Sequence, residues 1–371
     1  MDADKARRAL DGAMTITETH LGDFTGGFPP PASKNGIYPK GENTEWTAGF
    51  YTGLMWMFWE HSMRPIFRET AERHLVSFRD RLDRRVGVDN HDMGFVFGLS
   101  CAAAYKLTGS VFAKETALLA ADNLKSRFHE KGQFLQAWGK MGDPSEYRLI
   151  IDCLLNLPLL YWAAEVTGDN SYRVTAERHL ETARNTVIRE DFSTHHTFYF
   201  DPETGAPLRG ATKQGYSDTS TWSRGQAWGI CGLALNYKYT KDPSIPPQWA
   251  GVTEYFLRHL PGDLAAYWDF HFREGDEPRD SSASAITVCG ILEGYRQGLC
   301  GKETIEMAYK ILESLIDSYA ARAEEAGNGL LKHSTYGRLL GAGIDEFTLW
   351  GDYFYTEALM RIVYPDWAAY W

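Results

Sequence analysis

Apolar positions along the chain fall into two alternating patterns. In the first, Phe67, Ala71, Leu75, Phe78 and Leu82 share one stripe at helical spacing, as do Tyr172, Ala176, Leu180, Ala183 and Val187, the mark of a surface helix with one buried face. In the second, the segments at roughly 46–60, 92–107, 152–166, 224–238, 282–296 and 348–363 are apolar nearly all round, and such helices belong in the interior. Amphipathic helices at about 4–20, 66–84, 112–128, 171–188, 247–260 and 303–322 alternate strictly with them. Six outer and six inner helices in that order predict an all-α (α/α)6 barrel over residues 1–371, as a single domain.

Two short echoes agree with a chain of repeated helical hairpins. Thr70-Ala71-Glu72-Arg73-His74-Leu75 recurs as Thr175-Ala176-Glu177-Arg178-His179-Leu180, and Lys114-Glu115-Thr116 as Lys302-Glu303-Thr304. The inner segments carry glycines four apart, Gly49/Gly53, Gly94/Gly98 and Gly225/Gly229. Each destabilises a helix by about 1 kcal/mol relative to alanine, which close contact between neighbouring backbones would explain. Short turns such as Leu107-Thr108-Gly109-Ser110 follow the inner helices, whereas long segments at 21–45, 129–151, 189–223 and 323–347 precede them. Function concentrates in such loops. They also place the inner-helix N-termini, each a partial positive charge, around one mouth suited to an anion.

Composition narrows the class. With 44% hydrophobic and 23% charged residues the chain is globular, and no apolar run approaches the roughly 18 residues that span a bilayer. The charged start Met1-Asp2-Ala3-Asp4-Lys5 leads into an amphipathic stretch, so no export signal is expected. The cysteines Cys101, Cys153, Cys231, Cys289 and Cys300 are odd in number and without close pairs, as in a reduced, cytoplasmic protein. A net charge of −11 without a basic stripe argues against nucleic acid as a partner. No Cys/His cluster has zinc spacing, and no calcium or phosphate-binding loop is present, so neither metal nor cofactor is expected. A monomer or weak homo-oligomer is expected. Aromatic residues make up 14%, including 12 Trp and 20 Tyr; such rings fill a core and also suit the apolar faces of sugars.

Polar residues at the predicted mouth form a short set. Asp152 lies among apolar neighbours, Leu149-Ile150-Ile151-Asp152-Cys153-Leu154-Leu155, where burial would raise its pKa as a general acid requires, or where it caps a helix. Asp92, in Asn90-His91-Asp92-Met93-Gly94, is either an N-cap or a second carboxylate that keeps one of the two protonated. Arg224 opens an inner helix, where it forks onto a ligand carboxylate or onto a loop acid. Trp46, Trp138 and Trp228 are stacking platforms or core; His91 and His196 are hydrogen-bond donors to a sugar or satisfied structural histidines. Asn43, Gln214 and Trp268 share the same mouth.

Taken as a set, Asn43-Thr44-Glu45-Trp46-Thr47-Ala48-Gly49-Phe50, Asn90-His91-Asp92-Met93-Gly94-Phe95, Ile150-Ile151-Asp152-Cys153-Leu154-Leu155-Asn156, His196-Thr197-Phe198-Tyr199-Phe200, Arg224-Gly225-Gln226-Ala227-Trp228-Gly229, Arg279-Asp280-Ser281-Ser282 and Trp350-Gly351-Asp352-Tyr353 resemble the unsaturated glucuronyl hydrolases, glycoside hydrolase family 88. The resemblance implies an (α/α)6 barrel and, as substrate, an oligosaccharide whose non-reducing end is a uronate with a C4=C5 double bond. It implies protonation of C4 of this vinyl ether and addition of water at C5, with Asp152 as the acid that also activates water and Asp92 as its partner. By the same resemblance Trp46, His196, Gln214, Arg224 and Trp228 line the uronate subsite, with Trp138 and Trp268 as further candidates.

Members that prefer sulphated fragments tend to carry Ser-x-x-Ser-x-Lys near the last inner helix. The stretch Lys332–Arg338 lacks it, leaving Lys332 or Arg338 as possible sulphate contacts. The alternatives on the same barrel are an unsaturated rhamnogalacturonyl hydrolase, an ordinary inverting glycosidase and a non-catalytic carbohydrate-binding protein. Arg-Gly-Gln-Ala-Trp, in place of the Arg-Gly-Asn-Gly-Trp of the rhamnogalacturonyl group, favours the glucuronyl group.

Overall fold

The computed structural model describes all 371 residues, Met1–Trp371. Its principal helices are α1 (Ala3–Thr19), α2 (Ala48–Ser62), α3 (Pro65–Asp83), α4 (π-wound over Gly94–Ala102, then α over Ala103–Thr108), α5 (Val111–Lys125), α6 (a 3-10 turn at Ile151–Leu155, then Leu157–Thr167), α7 (Asn170–Val187), α8 (Ser223–Thr240), α9 (Ile245–Arg258), α10 (Ser281–Arg296), α11 (Lys302–Ser314, with a π turn at Leu315–Tyr319) and α12 (Leu349–Val363). Even-numbered helices form a closed inner ring, each touching the next, with α12 returning to α2. Each also packs on an odd-numbered outer helix: α2 on α3, α4 on α5, α6 on α7, α8 on α9, α10 on α11 and α12 on α1. This is an (α/α)6 barrel, and its helix ends fall within a few residues of those read from the sequence.

Burial explains the two classes of helix. Every residue from Ser223 to Asn236 of α8 and from Ser281 to Gly294 of α10 is buried, because an inner helix is covered by two ring neighbours and one outer helix. Outer α3 buries Phe67, Ala71, Leu75 and Phe78, and α7 buries Tyr172, Ala176, Leu180, Ala183 and Val187, the stripes read from the sequence. One continuous cluster of 98 buried hydrophobic residues runs from Ala6 to Trp371. The two copies of the longer sequence echo occupy equivalent places: Thr70 to Leu75 and Thr175 to Leu180 lie mid-way along outer helices, with His74 and His179 both buried inward; Lys114 and Lys302 do not, since Lys302 opens its helix and Lys114 lies one turn into its own. No helix is long and apolar enough to cross a membrane.

Close backbone approach holds for some of the paired glycines and not for others. A Cβ on Gly49 would lie 2.0 Å from the Phe95 carbonyl oxygen and 2.4 Å from that of Val96, across the α2–α4 contact, and one on Gly94 would lie 2.4 Å from Cα of Asn156. Gly53 and Gly225 face aromatic rings, whereas Gly98 meets nothing within 4 Å, so the expectation fails there. Because backbone cannot yield as a side chain does, Gly49→Ala is expected to destabilise the barrel by roughly 3 kcal/mol, the upper end for overpacking. Chemical denaturation measures it; a loss below about 1 kcal/mol would mean that α2 and α4 separate freely.

Turns at the far end are tight. Helices α4 and α6 end on Gly109 (φ 72°) and Gly168 (φ 77°), where left-handed backbone closes the helix at least cost with glycine. The long connections at the other end contain strands that the helical periodicity did not reveal: β1 (Phe128–His129) with β2 (Phe134–Leu135), β3 (Arg148–Ile150) with β4 (Thr197–Phe200) and β5 (Pro207–Ala211), and β6 (Ser334–Gly337) with β7 (Ala342–Glu346), all antiparallel. Each is two to five residues long, too short for a clear alternation. They brace the mouth of the barrel.

Candidate active site

Strand β3 runs directly into the 3-10 turn that opens α6, and this junction carries Asp152. Pairing of Ile150 with Thr197 and the bond from Ile151 N–H to the His196 carbonyl (3.1 Å) set His196 beside it. The adjacent inner helix is entered through Asn90-His91-Asp92. There Asn90 bridges to Trp138, His91 N–H donates to the Ala137 carbonyl (2.8 Å), and Asp92 N–H donates to Asn90 Oδ1 (2.9 Å). Both aspartates therefore stand at the N-terminal ends of neighbouring inner helices, and neither caps its helix with its side chain. The capping alternative is excluded for both.

These residues open onto a cleft of ≈ 250 Å³ lined by Trp46, Asp92, Trp138, Arg148, Ile150, Asp152, His196, Lys213, Gln214, Trp222, Arg224, Trp228 and Tyr336. A larger cavity of ≈ 360 Å³ lies at the opposite end of the barrel, lined by residues such as Leu292, Tyr295, Tyr309 and Trp367 and by no carboxylate. Size therefore does not mark the site here; converging polar groups do.

The Asp92 side chain is 2% exposed and that of Asp152 17%. The sequence reading placed the burial on Asp152; it falls instead mainly on Asp92, whose carboxyl is pushed up to about 7 by burial. The His91 charge opposes that rise, the Asp152 charge adds to it, and Arg81 and Arg127 oppose it more weakly. Ligand atoms of His91, Asp92 and Asp152 all lie within 4.8 Å of one another. His91 Nε2 faces an oxygen of each carboxyl group, at 3.4 Å (Asp92) and 3.2 Å (Asp152), without a formed hydrogen bond to either. His91 is 0% exposed and absent from the cleft lining. The expectation that it touches substrate is corrected: it lies behind the carboxylates.

His196 does reach the cleft. Its Nδ1 accepts from the backbone N–H of Lys213 (2.9 Å) and Gln214 (3.3 Å), which leaves Nε2 as the protonated, ligand-facing nitrogen. Burial above all pushes its pKa down to about 3, with the Asp152 charge opposing and Arg224, Arg148 and Lys213 assisting, so the ring is a neutral donor. Gln214 accepts from Arg224 Nη2 through Oε1 (2.7 Å) and leaves its amide N–H groups without a protein partner.

Arg224 differs from expectation. It lines the cleft, yet Nη1 donates to Asp280 and to the Thr335 carbonyl (2.7 Å), and Nη2 to Gln214 and the Tyr336 carbonyl (2.6 Å). Trp222 and Trp350 flank the guanidinium at 4.5 and 4.8 Å. Its fork is committed to the protein, so the loop-acid alternative left open by the sequence is the one realised.

Among the tryptophans, Trp46 is half-buried, stacks on Trp350 (5.0 Å, 25°) and donates to the Tyr336 hydroxyl (3.1 Å). Trp138 is 38% exposed at the rim, and Trp228 presents an edge at the floor while packing on Phe95 and Phe354. Two expected residues lie elsewhere. Asn43 accepts from Arg81 Nη1 (3.0 Å) and donates to Ser77 (3.2 Å), part of a clamp on the loop before α2. Trp268 is 2% exposed, donates to Glu277 (2.9 Å) and packs on Phe272, because its loop turns it away from the cleft. Lys332 and Arg338 are likewise outside the cleft, paired with Glu325 (2.9 Å) and Glu277 (3.4 Å). Residues missed by sequence reasoning are Trp222, Tyr336, Ile150, Arg148 and Lys213; Trp222 stands two positions before the Arg224–Gly229 motif.

With this geometry in place, comparison with known proteins is direct. Residues 31–364 match the model of Glycosyl Hydrolase Family 88. The chain is 46% identical to an unsaturated chondroitin disaccharide hydrolase of Streptococcus pneumoniae, over 99% of this chain and 94% of that protein. The crystal structure of an unsaturated glucuronyl hydrolase from Streptococcus agalactiae superposes with a TM-score of 0.97 at 44% identity, covering 100% of this chain and 94% of that one. A structure of an Asp-to-Asn variant of the S. agalactiae protein, complexed with dGlcA-GalNAc6S, superposes at TM-score 0.89 and 41% identity, covering 100% and 94%. The chain is a glycoside-cleaving (α/α)6 barrel and belongs to glycosyl hydrolase family 88.

Proposed function

We propose that the protein removes the 4,5-unsaturated uronic acid from the non-reducing end of glycosaminoglycan-type disaccharides by hydrating the C4=C5 vinyl ether, with Asp152 as acid and base and Asp92 as its partner. The observation that carries this reading is a close carboxyl pair, uncapped and at adjacent inner-helix entries, facing a tryptophan-lined cleft in a family 88 chain. Of the two carboxyl groups Asp152 is the more accessible, so it is the one that meets the ring. Its proton goes to C4. The carboxylate so formed then takes a proton from water as the water oxygen bonds to C5. The product is a hemiketal at C5, which opens to a keto acid; C1 thereby becomes a hemiacetal that releases the remaining sugar. The glycosidic bond breaks as a consequence of hydration.

Binding falls to the other lining groups. Trp46, Trp138 and Trp228 offer apolar edges and faces to the sugars, and the His196 Nε2–H and the Gln214 amide donate to hydroxyl or carboxylate oxygens. Arg224 acts through Gln214, which it orients. Lys213 is an exposed cation in the lining without an ion pair, placed to attract an anionic substrate. Residues 1–371 act as one catalytic domain, a reading supported by the continuous core. Five unpaired cysteines, four of them buried, favour a reducing, cytoplasmic setting, and a monomer or weak homo-oligomer is the form proposed.

The test compares an unsaturated chondroitin disaccharide with its saturated analogue. Ultraviolet absorbance of the conjugated enol ether is expected to disappear with enzyme, releasing free aglycone, while the saturated analogue stays intact because it has no alkene to protonate. Cleavage of the saturated compound would replace this reading with an ordinary glycosidase.

A further inference from the structure

We propose that His91 is a positioning residue for this reaction: a fully buried imidazole that stands between the two carboxyl groups, fixes their separation and balances their charge. The inference rests on the proposed roles of Asp152 and Asp92. Its geometry is independent of them. His91 Nε2 lies 3.4 Å from Asp92 Oδ1 and 3.2 Å from Asp152 Oδ1, and its main chain is pinned by the bond to the Ala137 carbonyl (2.8 Å). The ring is 0% exposed and does not line the cleft, so it touches neither substrate nor solvent. Neither ring nitrogen, nor Asp92 Oδ2, nor Asp152 Oδ1 makes a hydrogen bond to any group, so the contacts among the three side chains are electrostatic. A buried polar ring with no other partner is costly unless it is charged and compensated by its neighbours.

The groups facing it favour a positive charge on the ring. Its own segment supplies Asp92, α6 supplies Asp152 and Cys153, and α7 supplies His179. His179 is no cation: burial, then the charge of His91, pushes it down to about 3, and its Nδ1 accepts from Leu135 N–H (2.9 Å). Arg127 and Arg81 act from further out on Asp92. Burial opposes a charge on His91, but the charges of Asp92 and Asp152 favour it and hold the imidazole protonated well above the usual histidine range; Cys153, whose thiol burial pushes up, adds no charge near neutral pH. An imidazolium, one carboxylate and one carboxylic acid then form a cluster of zero net charge. The cation limits the rise that burial imposes on Asp92, so that the proton can pass through Asp152 to C4.

The sign of the effect follows. A neighbouring positive charge lets carboxyl groups lose protons more readily; without it they hold their proton to higher pH. In His91→Asn the basic limb of the kcat/KM profile is expected to move upward from near neutrality by about one pH unit or more, with kcat down at least about tenfold and KM within about threefold. A fall in kcat with the limb unmoved overturns the proposal, since a loss of packing alone would not shift a titration. Should His91→Asn fail to fold, nitrogen NMR of the wild-type enzyme replaces it. Both ring nitrogens of His91 are expected protonated at pH 7, and a neutral ring there overturns the proposal. That readout needs no turnover, so an imidazolium at His91 together with full activity in Asp152→Asn would sink the catalytic assignment and leave the charge cluster standing.

Discussion

Asp152→Asn is expected to abolish turnover of an unsaturated chondroitin disaccharide, with kcat down by at least about 10³-fold and the dissociation constant within about threefold of wild type. The amide has almost the same shape and keeps its place at the junction of β3 and α6, so tryptophans and donors in the cleft remain where they were. What is lost is the proton that must reach carbon. No other acid replaces it: the Asp92 side chain is 2% exposed and sits deeper, and the His196 ring is neutral, with its pKa pushed down to about 3 mainly by burial. Absorbance of the enol ether follows the chemistry, and the fluorescence of Trp46, Trp138 and Trp228 follows binding. Retention of more than about a tenth of wild-type kcat would remove Asp152 from the acid role. A weakened dissociation constant with the rate per bound substrate intact would make it a binding residue instead.

The barrel was legible because each of its helices buries a characteristic set of positions. Phe67, Ala71, Leu75 and Phe78 show the single stripe of an outer helix, and Ser223 to Asn236 the all-round burial of an inner one. Nothing comparable marks β3, β4 and β5, whose short ladders are held by partners from distant loops. The carboxyl pair was legible because isolated acids at the entries of apolar helices need a reason to be there. Their surroundings were not. Whether Asp92 or Asp152 lies deeper depends on where Trp138 and His196 cross the mouth, and that His91 lies behind them depends on the bond to the Ala137 carbonyl. Asn43 and Trp268 look like site residues in one dimension because they fall in segments that lead to the predicted mouth, Asn43 three positions before Trp46. In three dimensions Arg81 claims the first and Glu277 the second.

Arg224→Ala is expected to damage the fold before it damages binding. From sequence, a guanidinium at an inner-helix entry reads as a clamp for the substrate carboxylate, and its loss should then raise KM alone. The structure ties it to Asp280, to the carbonyls of Thr335 and Tyr336 and to Gln214, between Trp222 and Trp350. Both Arg224 and Asp280 are essentially inaccessible, at 1% and 0% exposure. Removing one partner of a buried pair leaves the other charge uncompensated, at a cost of about 3–5 kcal/mol. The same change frees β6, whose Tyr336 receives the hydrogen bond of Trp46, so the stacking surface at the mouth loosens as well. Chemical denaturation of Arg224→Ala is expected to show that loss, and Arg224→Ala combined with Asp280→Asn to recover a substantial part of it, because the stranded charge is then gone. A single variant as stable as wild type, with only KM raised, would mean that the guanidinium exchanges its protein partners for the substrate carboxylate. In that event the anchor of β6 lies in the remaining bonds of the hairpin, and the clamp suggested by the sequence is correct.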